Sequence, residues 1–170
     1  ANNVDPQIVG VRFNSLAIPN GAKITKAYVQ FAVDATGKNS DPSNLVLHGE
    51  DVDSAMTYNS AENFNITKRA KTKDSVTFSM GAWPLVGEAG ENQRTGDISK
   101  VIQAIVDRTG WKAGNSLAVM ITGIGTREAE SFDGDAPKAP MLVVEYLGSD
   151  AVEVKPTPNP TTVFPIISGS

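Results

Sequence analysis

The chain has 170 residues, of which 40% are hydrophobic and 20% are charged, and its formal net charge is −4 at pH 7. A chain of this length and balance can form one globular domain whose core needs neither metals nor disulfides. The acidic balance argues against a nucleic-acid partner, because no global positive field attracts phosphates. No apolar run approaches the roughly 20 residues that cross a bilayer, so we expect no membrane span.

The sequence contains no cysteine and a single histidine, His48. This composition excludes thiol nucleophiles, disulfides, thiolate metal sites and histidine-rich metal clusters. A Ser-His-Asp triad would have to include His48, which alternates with apolar residues over residues 45–50 and has no nucleophile elbow beside it. We interpret His48 as a structural or surface residue and expect no catalytic site.

Alternating hydrophobicity predicts several short strands in chain order. The first covers residues 7–13, turn residues follow at 18–22, and the second covers residues 27–33, where Val29 and Phe31 share one face. Further strands are predicted at 44–50, 75–80, 116–122 and 141–147. This spacing, with Gly, Asn, Asp and Pro between the strands, predicts an all-β fold, a two-sheet β-sandwich or jelly roll.

One segment, residues 98–109, has the period of a helix instead of a strand. Its apolar side chains follow the i, i+3, i+4, i+7, i+8 spacing of an amphipathic helix. Asp97 is the predicted cap at its start and Gly110 the residue that ends it. We expect this short helix to lie as a lid over one end of the sheets.

The composition changes after Tyr146. Residues 149–160 are rich in proline, which predicts an extended, semi-rigid linker. Residues 161–170 are rich in β-branched and aromatic side chains, which favour a C-terminal strand. The predicted organisation is therefore a β-sandwich domain over 1–148, a linker over 149–160 and a tail strand over 161–170.

Several blocks of the sequence resemble, in their order, a bacterial secreted β-sandwich domain that is related to the DNRLRE-type carbohydrate-binding modules. The blocks are Val9-Gly10-Val11-Arg12-Phe13, Ile18-Pro19-Asn20-Gly21-Ala22, Ala27-Tyr28-Val29-Gln30-Phe31, Asn65-Ile66-Thr67, Ile102-Gln103-Ala104-Ile105-Val106-Asp107-Arg108 with Gly110-Trp111, Gly114-Asn115, Ser131-Phe132-Asp133-Gly134-Asp135 and Ala139-Pro140. They cover about residues 8–147, and the hexapeptide that gives the DNRLRE group its name is not among them. The resemblance implies a sandwich fold, a secreted, extracellular or cell-surface location and a role in binding.

The resemblance also implies a missing strand. Members of that family usually carry an additional strand before the block at residues 9–13, where this chain has only residues 1–6. A sandwich short of one strand exposes an apolar groove and unpaired backbone groups. The tail can fill such a gap by strand addition, in its own chain or in a neighbouring copy.

The first functional hypothesis is therefore a non-catalytic extracellular structural subunit. Copies would join head to tail by donation of the C-terminal strand, which builds a filament or a surface layer. The competing interpretation is that the tail is an interdomain linker followed by the first strand of another repeat. The residues assigned to assembly are Thr162, Val163, Phe164, Ile166 and Ile167.

The second hypothesis is a carbohydrate-binding module of a secreted enzyme or adhesin, because flat aromatic rings stack on sugar faces. Trp83 and Tyr58 are the candidate platform residues, whereas Trp111 is better explained as a core residue beside the helix end. Lys71, in a local basic run, is the candidate contact for an acidic polysaccharide. The same run also fits a charged edge strand that blocks unwanted pairing.

One loop suggests a cation. Glu130, Asp133 and Asp135 place carboxylates around a glycine, an arrangement that calcium accepts. The competing interpretation is a solvated turn whose Asp side chains bond their own backbone. Calcium is the one cofactor that the sequence suggests.

Overall fold

The computed structural model of the protein describes residues 7–147, 153–154 and 159–160, with backbone alone at 38–42, 153–154 and 159–160. Two antiparallel sheets, one α-helix and two short 3₁₀ turns make up this described part. The predicted all-β, two-sheet sandwich with one helix is thereby confirmed. None of these residues forms a helix that is long and apolar enough to cross a membrane.

The elements follow one another along the chain and build two sheets. Their bounds are β1 Val9–Phe13, β2 Lys23–Gln30, β3 Val33–Glu50, β4 Lys71–Phe78, α1 Ser99–Val106, β5 Leu117–Ala129, β6 Met141–Leu147, β7 Glu153–Val154 and β8 Asn159–Pro160. Sheet A has the order β1-β5-β3-β4. Sheet B has the order β2-β6-β7, and β8 also pairs with β6.

The core lies between the two sheets and follows the period of two in the strands. In β1, Val11 and Phe13 are fully buried, and in β2 the same holds for Ala27 and Val29, while Tyr28 between them is half-buried and Lys26 before them is exposed. Burying one such valine or phenylalanine contributes about 1.5–3 kcal/mol. The alternation of apolar and polar residues in the sequence therefore places one face of each strand against the common core.

The helix α1 lies against β2, β3 and β4, along the side of the sandwich between the edge strands β2 and β4. Its apolar face is buried as predicted. Gly49 of β3 allows this close approach, because a Cβ there would lie 2.6 Å from Cδ1 of Ile105. The helix therefore covers a long side of the sandwich, where the sequence had suggested a lid over its end.

The helix ends at Val106, earlier than the predicted residue 109. After Val106 the chain turns, and the N–H of Arg108 donates to the carbonyl of Ile105 at 3.1 Å. At the start, a carboxylate oxygen of Asp97 accepts from the N–H of Ser99 at 2.9 Å, but the residue at the N-cap position is Ile98, one residue after the predicted cap. Gly110 lies beyond the helix.

The free edge of β2 is covered by residues 93–103. Backbone groups on this edge bond to backbone and side chains of that segment, which continues into α1. Four backbone N–H groups donate to the segment: Ile24 to Gln103 Oε1, Ala27 to Asp97 Oδ1, Val29 to Thr95 Oγ1 and Phe31 to Gln93 O. Three carbonyls accept from it: Ala22 from Gln103 Nε2, Ala27 from Ile98 N and Val29 from Thr95 N. This edge is thus closed to further pairing.

The strands β7 and β8 lie in the segment predicted as a linker. Both pair antiparallel with β6 of the same chain, Val154 with Tyr146 and Pro160 with Met141. These residues extend sheet B, within the segment 149–160 that the sequence predicted as a Pro-rich linker. The predicted donor strand, residues 161–170, lies outside the described residues.

Candidate functional site

The 51–70 segment, which joins β3 to β4, folds over the outer face of sheet A. Ala55 and Tyr58 of this segment pack on Ala118 of β5 and form a small second apolar cluster. Gly10 of β1 lies beneath the tyrosine, and a Cβ at this position would come 2.6 Å from the phenol oxygen. A glycine in β1 therefore lets the tyrosine lie close to the sheet.

Arg69 holds the 51–70 segment together. Its guanidinium donates to the carbonyls of Met56 (2.8 Å) and Thr57 (3.1 Å), and its carbon lies 4.1 Å from the ring centroid of Tyr58. It also forms an ion pair of 2.8 Å with Glu50, in which both side chains are buried. Because a buried charge without its partner is strongly destabilising, the segment depends on this pair.

The charged and phenolic groups under the segment influence one another. Burial raises the pKa of Tyr58 above its ordinary value, and the carboxylate of Glu50 adds to the rise while Arg69 and Arg12 oppose it. Burial also lowers the pKa of Arg12, and Arg69 adds to that effect. The phenol therefore stays protonated at neutral pH.

A cavity of about 1150 Å³ opens between the end of β3 and the 51–70 segment. Its lining combines apolar groups from Met56 and Tyr58 with polar groups such as Asn63 and Lys68. Ligand pockets combine apolar groups with a few polar ones in this way, and the volume here lies slightly above their usual range. The cavity is therefore one candidate binding site.

Phe64, between two asparagines that line the cavity, is an aromatic residue that the sequence analysis did not select. Its side chain is 68% exposed, and its backbone φ is 63°, a left-handed conformation that phenylalanine seldom adopts. The ammonium of Lys68 lies 5.5 Å from its ring centroid. Residues in such conformations cluster at binding sites, so Phe64, which is adjacent in the chain to two lining residues of the cavity, is a candidate binding residue.

The structure does not bring the predicted carbohydrate residues together. The ring of Trp83 is 1% exposed and packs 6.2 Å from that of Phe31, so it belongs to the core and presents no face to a sugar. Tyr58 lines the cavity but is 9% exposed. Lys71 is exposed on β4 and is not a lining residue of the cavity. Trp111 lies in the core as expected.

The three carboxylates assigned to calcium do not converge. Residues 7–147 include Glu130, Asp133 and Asp135, and no group of three or more metal-binding side chains is found among them. Asp135 instead pairs with Lys138 at 2.7 Å, and the loop is closed by the N–H of Gly134, which donates to the Ser131 hydroxyl at 3.1 Å. The geometry is that of a polar turn.

His48 lies in β3 beside the edge strand β4. Its Nδ1 is 3.1 Å from the carbonyl oxygen of Thr72, which can only accept, so Nδ1 carries the hydrogen. The imidazole thus joins two strands of sheet A, in agreement with a structural histidine.

The strand edges are the second candidate site. In the described part of the chain, β2 is covered by residues 93–103 and β6 pairs with β7 and β8. The edge strand β4 exposes Lys71, Lys73 and Asp74, which fits the blocking role of charged edges. Sheet B ends at β7 and β8, which are two residues long each, and the other edge strand of sheet A, β1, has β5 as its one partner among the described strands.

Comparison with known proteins gives no relative. A scan against protein-family models found no match, and neither did searches of the curated proteins and of the solved structures. The resemblance to the DNRLRE-type modules therefore stays a prediction. The cavity and the strand edges are the basis for a functional proposal.

Proposed function

We propose that the protein is a non-catalytic, extracellular structural subunit that joins copies of itself head to tail through its C-terminal segment. The observation that carries this proposal is the course of the tail. The strands β7 and β8 both pair antiparallel with β6, and Pro160 of β8 lies opposite Met141. The described chain thus reaches the Met141 end of β6 at Pro160, the residue that precedes the segment 161–170.

The chemistry of that segment suits strand addition. Main-chain hydrogen bonds give an added strand its affinity, and alternate side chains give it specificity. Residues 161–170 carry no charged side chain, and their β-branched and aromatic content favours a strand. The residues that would provide the apolar contacts are Thr162, Val163, Phe164, Ile166 and Ile167.

Deleting residues 161–170 tests this function. The full chain is expected to form polymers as its concentration rises, visible by sedimentation velocity and by electron microscopy, while the shortened chain stays monomeric. The deletion keeps β7 and β8, so the pairing of β6 is retained. Phe164→Ala should weaken assembly and Ser168→Ala should not. Polymers that form equally well without residues 161–170 would rule the proposal out.

Carbohydrate binding is the second candidate, and the observation that favours it is the exposed ring of Phe64 beside the cavity. An aromatic face next to amide and charged side chains is suited to a sugar ring and its hydroxyls. In this case the chain would be a module of a secreted enzyme or adhesin.

Calorimetric titration with neutral and acidic oligosaccharides tests this candidate. Phe64→Ala is expected to abolish binding, whereas Phe132→Ala, at a 39% exposed ring in another loop, should leave it unchanged. If no sugar of the panel binds, or if Phe64→Ala binds as well as the parent chain, the candidate is dismissed.

A further inference from the structure

The strand β1 is unlike the other sheet edges. Its five residues, Val9–Phe13, contain one charged side chain, Arg12, whose Nε donates to the carbonyl of Ala55 at 2.8 Å. Val11 and Phe13 are fully buried, so the strand is fixed by the core. Lysine, proline and bulges are the usual means of protecting an edge, and β1 has none of them within its described pairing with β5.

We propose that residues 161–167 of one copy add as a strand to the outer edge of β1 in a second copy. This inference rests on the proposed function and names the surface that receives the tail. Of the other edges in the described part, β2 is covered and β4 carries charged side chains, while β7 and β8, which end sheet B, are two residues long each; β1 presents a longer, fixed backbone beside a completed core. The apolar stretch of the tail is similar in length to β1.

The place where the tail leaves the fold decides between the two copies. Gln30 pairs with Met141 in sheet B, and Val33, just beyond the crossing between the sheets, pairs with Ala129 in sheet A. Because Pro160 is also opposite Met141, the tail leaves at the end of the sandwich where β5 finishes. The strand β1 pairs with the other end of β5, from Leu117 to Ile121.

The reach of the chain excludes its own β1 as the acceptor for Phe164. Val11 pairs with Val119, and the path along β5 from Ala129 back to Val119 is on the order of 33 Å at about 3.3 Å per residue. Phe164 follows Pro160 by so few residues that it reaches at most about 14 Å from it. Phe164 therefore meets β1 in another molecule.

A contact between opposite ends of two identical subunits is heterologous. Each copy then offers one tail and one β1 edge, and the chain of contacts continues unless its rotation closes a ring. The product is a polar filament in which every sheet A gains a fifth strand from its neighbour.

Cross-linking in the full chain tests the acceptor edge. Because the sequence has no cysteine, each introduced cysteine is the single thiol of its chain. Ser15→Cys is an exposed position just after β1, and Lys73→Cys is the matched exposed position on the β4 edge. Each is mixed with Thr161→Cys or Ser168→Cys chains and treated with a short bismaleimide. Since every chain carries one thiol, a product that joins the two variants is intermolecular.

The expected result is a mixed covalent dimer between Ser15→Cys and one of the two tail variants, and its loss when Lys73→Cys replaces Ser15→Cys. Hydrogen exchange at residues 9–13 should also slow in the polymer relative to the dilute chain. If polymers form but the tail links to Lys73→Cys, or β1 exchange is unchanged, the acceptor edge is wrong and the assembly function stands. If the mixtures remain monomeric at every concentration, both fail together.

Discussion

Arg69 connects three parts of the 51–70 segment to the end of β3, through carbonyls, a buried carboxylate and an aromatic ring. The arginine fork can make these bonds at once because its donors are planar and fixed in direction. Lysine could not replace them. The position of the 51–70 segment beside the cavity therefore depends on the Arg69 side chain.

Arg69→Ala is expected to lower the free energy of unfolding by about 3–5 kcal/mol, because Glu50 would remain buried without its partner. Urea unfolding at neutral pH measures the change. Arg108→Ala is the matched control, since its ion pairs with Asp51 and Asp53 are partly exposed and are worth about 1 kcal/mol at most. Equal losses in the two variants would contradict the role assigned to Arg69.

The phenol of Tyr58 gives the stability a dependence on alkaline pH. Burial raises its pKa in the folded state, so the unfolded chain ionises first. The stability from this group is complete below about pH 10, the ordinary pKa of tyrosine, and falls as the pH rises further. Urea unfolding from about pH 9 to pH 11.5 should show a steeper fall in the parent chain than in Tyr58→Phe. Parallel curves would show that the phenol does not titrate as inferred.

Single residues show where sequence reasoning stops. Trp111 and the apolar face of α1 were predicted to be buried because helical spacing and position indicate a core. Trp83 gave no such signal, since it lies outside any predicted strand or helix and its burial results from contact with Phe31, far away in the chain. Phe64 was missed because its exposure and backbone conformation depend on how the 51–70 segment folds over sheet A.

At the scale of elements, the segment of residues 93–103, which follows β4 and continues into α1, has two functions. It carries the chain across the side of the sandwich, and it occupies the hydrogen-bonding groups that β2 would otherwise expose. Gln103 contributes to both, because its amide bonds the backbone of Ile24 (2.8 Å) and of Ala22 (3.0 Å) from within the helix.

Gln103→Ala is expected to destabilise the fold by about 1–3 kcal/mol, the cost of leaving buried backbone groups without partners. Thermal or urea unfolding measures this loss. Lys100→Ala, at an exposed position of the same helix, should change stability by less than about 0.5 kcal/mol. If the glutamine and lysine variants unfold alike, the amide of Gln103 does not hold the edge.

The strand bounds differ from the sequence prediction for a physical reason. The predicted strand over residues 27–33 continues across Phe31, Ala32 and Val33, which are all buried, yet the chain passes there from sheet B to sheet A. Hydrophobicity reports burial and not the sheet in which a residue is paired. The first half of β3 was missed because it is polar and its register with β5 is interrupted by bulges.

At the scale of the molecule, assembly through an uncharged tail has a clear signature. Because residues 161–170 contribute no charge, polymer formation should change little between about 0.05 and 0.5 M salt, a range over which surface ion pairs are strongly screened. Sedimentation velocity at matched protein concentrations measures the effect. Dissociation of the polymer at high salt would instead indicate an interface built on charged side chains such as the Lys71 and Lys73 edge.

The pairing of β7 and β8 with β6 bears on the mechanics of such a polymer. Ordering a residue costs about 1–2 kcal/mol of backbone entropy, and the residues paired with β6 have already been ordered before a neighbour arrives. The connection between subunits is then short and leaves a folded sheet in a fixed direction. A fibre of this kind is expected to be stiff, with a long persistence length, and not a string of loosely tethered beads.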